Sequence, residues 1–323
     1  MKNKLTPPFI SRSTITFTKE ARKTSSYSFW DWLHGLIYAR FPYLYIAIGT
    51  GEHPIARFYM QIQNKFNRFR RRTAKDLNRT PPTSIDNITF ADTYHGKVVP
   101  LKAATELVLI NRDIRITNLE KIIPYARARD IILQNPTHIA VLDCPCRSAR
   151  PNPCLPLDVC LIIGEPFASF IIEHHPQRSR WITPQEAVDI IKAEDARGHV
   201  HHAFFKDAML NRFYAICNCC TCCCGAMQAQ RNGTPMLASS GYVCEVDEDL
   251  CIACGECNDI CPFGALSMGE FSANVNEEKC MGCGICVSHC VQGALSLRRE
   301  TSKGEPLEIV ELMKDAFFTN PLS

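Results

Sequence analysis

The sequence predicts an α+β protein in which a mixed α/β, cysteine-rich central domain is followed by a small domain of pseudo-twofold symmetry. Short apolar runs of strand length alternate with helical apolar patterns through the middle of the chain, which is typical of a mixed domain. Near the C-terminus, two consecutive stretches share the same cysteine spacing, which predicts a domain built from two similar halves. The 19 cysteines, most of them in tight local clusters, indicate metal binding.

Composition divides the chain into five predicted segments. A basic, aromatic N-terminal segment is followed by a polar, proline-containing linker, the central domain, the internal repeat and a C-terminal helix. Their predicted bounds are residues 1–72, 73–87, 88–241, 242–298 and 299–323. The sequence shows no apolar core of a signal peptide and no run of eighteen apolar residues, so we expect a cytoplasmic protein.

The N-terminal segment carries much of the positive charge. Residues 1–80 contain 15 Lys and Arg against 4 Asp and Glu, whereas residues 242–323 contain 5 against 14, so the two ends are expected to meet different partners. Residues 54–72 have the spacing of a basic amphipathic helix with aromatic anchors. Such a helix suits an anionic surface, which predicts peripheral contact of residues 29–72 with the inner face of a membrane. Packing on a partner subunit or on the central domain is the open alternative, and nucleic acid is not expected.

Three stretches of the central domain give local structural signals. Residues 119–134 have helical apolar spacing interrupted by Pro124, which predicts a kinked helix or two helices. Residues 138–146 form an apolar run ending in cysteines, which predicts a buried strand that delivers thiols at its end. Residues 182–198 predict a helix with an N-cap, a proline in its first turn, a capping box and a terminating glycine. These four residues are Thr183, Pro184, Glu186 and Gly198.

The repeat near the C-terminus has the strongest chemical signature. The stretch "VDEDLCIACGECNDICPFGALSM" aligns without a gap on "VNEEKCMGCGICVSHCVQGALSL" at an offset of 29 residues. Each copy spaces its cysteines as C-x2-C-x2-C-x3-C, and residues 242–298 therefore resemble a bacterial-type ferredoxin domain with two [4Fe–4S] clusters. Zinc is the weaker alternative, because zinc sites usually take two C-x2-C pairs separated by a longer spacer.

The resemblance implies which cysteines hold each cluster, because in such domains the fourth cysteine of each run ligates the other cluster. It implies one set of Cys251, Cys254, Cys257 and Cys290, and a second set of Cys280, Cys283, Cys286 and Cys261. Gly255 and Gly284 lie inside the two loops, where the missing Cβ lets backbone amides approach the cluster sulfurs. Val291 departs from the family pattern, which places a proline after the fourth cysteine, as Pro262 does in the first copy.

Ten further cysteines in the central domain are candidate metal ligands. They are Cys144, Cys146, Cys154, Cys160, Cys217, Cys219, Cys220, Cys222, Cys223 and Cys224. Because neighbouring residues of an extended chain point to opposite sides, the run from residue 217 to 224 can serve two sites. Three interpretations are open: one or two further iron–sulfur clusters, zinc held by some of the thiols, or a thiol–disulfide or unusual cluster site that performs catalysis. Cys244 stands apart on a predicted strand and is expected to be a buried, small apolar side chain.

For the polar residues beside these cysteines, alternative roles remain open. The histidines of "GHVHHAFF", His199, His201 and His202, either ligate a metal or deliver a proton, or form a hydrogen-bonded cluster between domains. Arg147, beside Cys146, either balances thiolate charge or lies at the surface. The motifs "CPCR", "GHVH" and "CNCC-x-CCC" resemble those of uncharacterised iron–sulfur proteins of anaerobic bacteria, a resemblance that implies no particular reaction.

Together these features predict a multi-cluster electron-transfer protein or a subunit of an anaerobic redox complex. It would pass single electrons between a low-potential donor and a partner enzyme or membrane carrier, so redox proteins are its expected partners. The alternative is a reductase whose central cysteines act on a thiol, a disulfide or a quinone-like substrate. No G-x-G-x-x-G fingerprint occurs, so direct NAD binding is not expected. The tail, residues 305–318, is predicted to be an amphipathic helix docked on the domain beside it.

Overall fold

The computed structural model describes residues 11–54, 90–117 and 119–319. The fold class is α+β, as predicted, with both helices and strands in the central domain and a small cysteine-rich domain at the C-terminus. Within these residues, none of the helices combines the length and the apolar character needed to cross a membrane. The predicted linker and most of the predicted basic helix of residues 54–72 lie outside the described residues.

In residues 11–54, the part of the chain described before the central domain, there are three helices; side-chain caps begin the first two and a proline begins the third. Their bounds are α1 Arg12–Lys23, α2 Phe29–Arg40 and α3 Pro42–Gly49. The side chain of Ser11 accepts a hydrogen bond from the Thr14 amide, and Ser28 and Asp31 form a reciprocal capping box. Phe17 on α1 and Tyr38 on α2 are buried in the core of the central domain, so these helices cover one face of it.

The central domain is built on one eight-stranded sheet. In order across the sheet the strands run β2-β3-β4-β7-β6-β1-β8, with β5 paired to β3, and all neighbours are antiparallel except the parallel pair β1 and β8. The bounds are β1 Tyr94–Val98, β2 Ile114–Ile116, β3 Ile131–Asp143, β4 Asp158–Glu165, β5 Ser179–Ile182, β6 Val200–Lys206, β7 Arg212–Cys219 and β8 Leu237–Ala238. Because side chains alternate between the two faces of each strand, this sheet separates two cores.

Helices lie on both faces of the sheet. Their bounds are α4 Phe90–Thr93, α5 Leu101–Val108, α6 Pro145–Ser148, α7 Phe167–His174, α8 Pro184–Asp195 and α9 Gly225–Arg231. Helices α5 and α8 bury aliphatic side chains such as Leu107 and Ile191 in an aliphatic core on one face. The other face carries the cysteines and is covered by α1, α2, α7 and part of the C-terminal domain. The thiols on this face of the sheet are therefore covered by other parts of the protein.

The C-terminal domain has two similar halves. Each half contains a strand, a cysteine loop, a one-turn helix and a second strand. The strands of the two halves pair β9 with β12 and β10 with β11. The bounds are β9 Tyr242–Val246, α10 Glu256–Ile260, β10 Leu266–Met268, β11 Ala273–Val275, α11 Ile285–His289 and β12 Leu295–Arg299. A short 3-10 turn, Thr301–Lys303, leads to the last helix, α12 Ile309–Thr319. The tail was predicted to dock on the domain beside it; it packs on the central domain, since Leu307 and Ile309 are buried in the aliphatic core of that domain.

One of the three local predictions for the central domain is wrong and one is right only in part. Residues 119–134 do not form a helix: they run as turns and bends to residue 129 and then enter β3. Ile131 and Leu133 are buried while their neighbours are partly exposed, so the period of two typical of a strand prevails over the apparent helical spacing. The strand that ends before Cys144 is confirmed.

The helix predicted over residues 182–198 is confirmed as α8, with one difference at its N-terminus. Thr183 caps it by accepting from the Glu186 amide, and Gly198 follows its end with a φ of 76°. The Glu186 carboxylate, however, accepts a hydrogen bond from Arg180 on β5, and the structure shows no reciprocal bond to Thr183. The capping box is therefore incomplete, because a nearby guanidinium takes the carboxylate that would have completed it.

Candidate iron–sulfur centres

The two cysteine loops of the C-terminal domain depend on glycines with left-handed backbone. Gly255 begins α10 with a φ of 85°, and Gly284 begins α11 with a φ of 83°. An L-residue is strained at such angles, so glycine lets each loop turn sharply from its cysteines into its helix. All eight cysteines of the two runs are free thiols, which is the donor set that two cubane clusters require.

Cys261, from the first run, lies with the three loop cysteines of the second run. Cys261, Cys280, Cys283 and Cys286 line one small cavity of about 20 Å³. Backbone amides point at two of these sulfurs: Ala265 N lies 3.3 Å from Cys261 Sγ, and Cys244 N lies 3.4 Å from Cys280 Sγ. Amide groups that donate to sulfur favour thiolates and fit a bound cluster. This grouping is the one that an exchange of fourth ligands requires, and ligation itself stays a prediction.

The other set lies nearer to solvent. Cys254 is exposed, and burial together with nearby Cys286, Cys251 and Cys254 raises the pKa of the Cys257 thiol. Cys290 ends α11 and packs, partly buried, against the same small core as Cys257. Val291, which stands where the family has proline, is 87% exposed, so its side chain makes no demand on the packing.

Cys244 is buried, as predicted, but it is not isolated from the other thiols. It lies on β9 with an exposure of 3%, and its Sγ is 3.6 Å from Cys286 Sγ. The contact raises the pKa of Cys244, with burial adding to the effect. Cys244 is a useful control for substitutions of the predicted ligands, because it contacts one of them but is not part of the repeated cysteine spacing.

Six central cysteines converge on the covered face of the sheet. We call them the six-thiol group: Cys144, Cys146, Cys160, Cys217, Cys219 and Cys224. Cys220 also lines the cavity beside them, although its sulfur lies with those of Cys154 and Cys222. Cys144 follows β3, Cys160 and Cys217 are paired neighbours on β4 and β7, and Cys224 precedes α9. Cys217 and Cys219 are two residues apart on β7 and therefore share a face. The cysteines predicted to lie at the end of a buried strand, Cys144 and Cys146, thus belong to this group.

The thiols of the six-thiol group form a connected series of contacts. The series runs in the order Cys217, Cys160, Cys144, Cys146, Cys224 and Cys219. The contact with Cys146 and burial, opposed by the contact with Cys160, raise the pKa of Cys144 to about 12. Burial, opposed by the contact with Cys224, raises that of Cys219 to about 12. Protonated thiols are not metal ligands, so this group ionises only when a cation compensates the charge.

A cavity of about 60 Å³ lies inside this group and is lined by three tyrosines as well as the thiols. Tyr38 and Tyr214 share a hydrogen bond of 2.7 Å between their hydroxyls, and Tyr94 stacks on Phe204. The Lys206 ammonium lies 5.0 Å from the centre of the Tyr38 ring, and burial lowers the pKa of Lys206. These residues were not predicted from the sequence, and Tyr38 could not be, because it reaches the cavity from a helix more than a hundred residues away from Cys144.

The remaining central cysteines form a second group on the other side of the run. The sulfurs of Cys154, Cys220 and Cys222 all lie within 4.8 Å of one another. Cys223 Sγ is 3.4 Å from Cys222 Sγ, and His199 Nε2 is 3.8 Å from Cys154 Sγ. The structure thus divides the sulfurs of the run from residue 217 to 224 between two places. Strand alternation accounts for the shared face of Cys217 and Cys219, whereas a turn after β7 places the others.

Arg147 lies between the two central groups, and the surface alternative for it is wrong. Its side chain is 1% exposed and pairs with the equally buried Glu194 at 2.5 Å. The guanidinium also donates to the Asn218 carbonyl, and its charge acts on Cys144 and Cys220. Glu194 was not predicted to take part, because an acidic residue on an amphipathic helix normally indicates a solvated face.

The three histidines are all buried, and hydrogen bonds hold two of them. His199 Nδ1 lies 2.7 Å from Glu194 Oε2, and His201 Nδ1 lies 2.7 Å from Asn218 Oδ1. His199 precedes β6, while His202 pairs with Cys217 across β6 and β7, so its side chain lies on the face of the six-thiol group. Burial lowers the pKa of His202 to about 3, which keeps that ring neutral.

Comparison with known proteins identifies one part of the chain. Residues 250–294 match the family model described as a 4Fe-4S dicluster domain. No curated protein matches the chain. The match supports iron–sulfur clusters in the C-terminal domain and an iron–sulfur electron-transfer role in general. The resemblance of the central domain to proteins of anaerobic bacteria stays a prediction.

Proposed function

We propose that this protein is a multi-cluster electron carrier, or the electron-transfer subunit of a redox complex, with a third cluster held by the six-thiol group. When bound, a [4Fe–4S] cluster supplies one-electron chemistry, and hydrogen bonds and burial set its potential. Four of the six thiols satisfy one cubane, and we include Cys144 and Cys146 among them, because they lie in the middle of the series of contacts. Without these two, the other four thiols are left as two separate pairs, Cys160 with Cys217 and Cys219 with Cys224. The ten central thiols together would then serve one cluster and one further site.

The observation that carries this proposal is a core shared by the two domains. Cys283 and Ile285 of the C-terminal domain belong to the same buried cluster of side chains as Cys144, Cys160 and Cys219 of the central domain. The docking is close enough that a Cβ on Gly198 would lie 3.1 Å from the Ile260 side chain. Packed side chains keep the two sets of ligands near each other.

The outer set of the C-terminal domain suits the docking of a partner protein. Beside the exposed Cys254, the side chains of Leu250 and Ile252 are 50% and 63% exposed. Residues 242–323 contain 14 Asp and Glu against 5 Lys and Arg. We infer that the electron-exchange partner presents an apolar patch with basic residues around it, since opposite charges steer such encounters.

The N-terminal helices supply a second surface, for which we propose an anionic membrane as the occupant. Phe29, Trp30 and Phe41 are 63%, 73% and 53% exposed although Phe17 and Tyr38 nearby are buried. The first 80 residues contain 15 Lys and Arg against 4 Asp and Glu. Aromatic side chains beside basic ones favour the interface of a membrane with anionic lipid. This peripheral contact would bring the protein to a membrane carrier.

The experiment is iron and sulfide analysis of the full-length chain purified without oxygen. Three cubanes predict about twelve irons and about twelve sulfides per chain. The double variant Cys144→Ser, Cys146→Ser is expected to lose about four of each. Cys244→Ser is the matched control, because Cys244 is buried beside Cys286 but has no predicted place in a cluster.

Two results would reject the proposal. A wild-type protein with only about eight irons, unchanged by the double variant, would confine the clusters to the C-terminal domain. A redox-active disulfide among the six thiols, in place of iron, would favour the reductase alternative, in which the cavity beside Tyr38 and Tyr214 receives a substrate.

A further inference from the structure

We propose that Cys154, Cys220, Cys222 and His199 bind a single tetrahedral cation of the zinc class, separate from any iron–sulfur cluster. The three sulfurs lie within 4.8 Å of one another. In a tetrahedral zinc site with Zn–S bonds of about 2.3 Å, neighbouring sulfurs are about 3.8 Å apart. A cubane places each thiolate on a different iron, so its ligand sulfurs lie farther apart than ligands of one ion. The compact spacing therefore favours one ion.

We infer His199 as the fourth ligand from its contact with Cys154; it does not belong to the set of three sulfurs that lie within 4.8 Å of one another. Its Nδ1 lies 2.7 Å from Glu194 Oε2, while its Nε2 faces Cys154 Sγ at 3.8 Å. A histidine that donates one ring nitrogen to a carboxylate presents the other as a lone pair, which is the usual arrangement around protein-bound zinc. Bond lengths of about 2.3 Å to sulfur and about 2.1 Å to nitrogen place such S and N atoms about 3.6 Å apart.

The surroundings support both the charge and the geometry. Glu194 is itself held by Arg147, and both side chains are 1% exposed, so the carboxylate cannot rotate away from His199. Three thiolates and one divalent cation leave one negative charge, and the nearby Arg147 guanidinium offsets it. Sulfur and imidazole ligands are the donor types that zinc takes in closed structural sites.

A closed site at this place would tie two segments together. Cys154 lies in the loop between α6 and β4, and Cys220 and Cys222 lie in the turn after β7. The elements that flank these two segments carry Cys146, Cys160 and Cys219 of the six-thiol group, and Cys220 itself also lines the cavity of that group. A bound ion would therefore fix the backbone from which the six-thiol group is built. This role does not depend on what the six-thiol group holds.

The test uses the full-length chain with metal analysis and cobalt substitution. The wild-type protein is expected to contain one zinc per chain, and Co²⁺ in its place is expected to show sulfur-to-cobalt charge-transfer absorption and tetrahedral d–d bands. Cys222→Ser removes the zinc and leaves the sulfide content unchanged. Cys223→Ser, its direct neighbour, keeps the zinc. His199→Ala releases zinc to a chelator at least tenfold faster, because one of four ligands is lost.

The double variant Cys144→Ser, Cys146→Ser separates this site from the six-thiol group. It is expected to lower iron and sulfide and to keep the zinc, whereas Cys222→Ser is expected to lose the zinc and to keep iron and sulfide. Absence of zinc and of the cobalt bands from the wild-type chain would overturn the proposal. Joint loss of iron and sulfide in Cys222→Ser would place Cys222 in a cluster instead, and loss of zinc in Cys223→Ser with retention in His199→Ala would refute the ligand set.

Discussion

Cys290 lies at the end of α11. It belongs in sequence to the run of Cys280, Cys283 and Cys286, but it is predicted to ligate the cluster of the other run. We expect Cys290→Ala to damage the cluster held by Cys251, Cys254 and Cys257, because each run lends its fourth thiolate to its partner. Electron paramagnetic resonance of the reduced variant identifies the altered cluster. A loss confined to the cluster of Cys280, Cys283 and Cys286 would contradict this assignment.

His95 gives the central domain a dependence on pH that is independent of the cysteines. The ring is fully buried, with its nitrogens 2.9 Å and 3.1 Å from the carbonyl oxygens of Ala91 and Ala128. Burial lowers the pKa of His95 to about 4, although both carbonyls oppose this change. The unfolded chain therefore binds this proton more readily, and stability contributed by the neutral ring is complete above about pH 6.5 and declines as the pH falls toward 4.

Urea unfolding at two pH values measures this dependence. Between pH 7.5 and pH 5, the wild-type protein is expected to lose about 2 kcal/mol of unfolding free energy relative to His95→Gln, a consequence of the shifted pKa. The comparison between the two proteins cancels acid effects on clusters that both contain. Equal losses in the wild-type protein and in the variant would show that His95 titrates normally in the fold.

At the scale of elements, the loop that bears Cys280 and Cys283 is held by the close approach of a glycine to β9. A Cβ on Gly282 would lie 2.2 Å from the Tyr242 carbonyl oxygen, a backbone atom that cannot move aside. Gly293 has a similar φ, 65° against 63°, but open space where a Cβ would lie. Gly282→Ala is therefore expected to displace the loop and to lower the iron content.

Gly293→Ala is the matched control for this prediction. It introduces the same left-handed strain, about 1–2 kcal/mol, without a collision, so its iron content is expected to remain at the wild-type value. Iron analysis and thermal unfolding of both variants provide the comparison. If both variants retain iron equally, the close contact with β9 is not what positions the loop.

The sequence predicted elements best where the signals were local. Thr183, Pro184 and Gly198 mark both ends of α8 through their own backbone preferences, and the structure agrees. The failed helix over residues 119–134 had no such cap signals, and its apolar side chains are buried by partners from distant parts of the chain. Tertiary packing decided that segment, which the spacing of one short stretch cannot show.

The candidate site shows the same limit. The repeat placed eight cysteines by spacing alone, and the alternation of side chains suggested that the run from residue 217 to 224 divides between two places. The burial of Arg147 depends on Glu194, which is 47 residues away and lies on α8. A pair formed only by the three-dimensional fold leaves no mark on the local pattern, and the same is true of Tyr38.

At the scale of the whole molecule, the two ends differ in charge and in exposed apolar surface. We expect the full-length protein to float with liposomes that contain anionic lipid and to dissociate at high salt, because salt screens the basic segment. Trp30→Ser should reduce flotation, since the Trp30 side chain is 73% exposed on α2. Trp181→Ser is the matched control, because Trp181 is 47% exposed on β5, in another part of the molecule.

Two results of the flotation experiment would contradict the prediction of membrane binding. If the wild-type protein does not float even at low salt, the N-terminal helices serve a protein partner instead of a membrane. If both tryptophan variants lose flotation equally, contact with lipid is not specific to the N-terminal helices.

The central claim is that the six-thiol group holds a third one-electron centre packed against the C-terminal domain. The most direct measurement is spin quantitation by electron paramagnetic resonance on the full-length chain after reduction with dithionite. The wild-type protein is predicted to show about three spins per chain, and the double variant Cys144→Ser, Cys146→Ser about two, with the signals of the C-terminal domain retained and their magnetic broadening decreased. About two spins in both proteins, with identical line shapes, would contradict the claim.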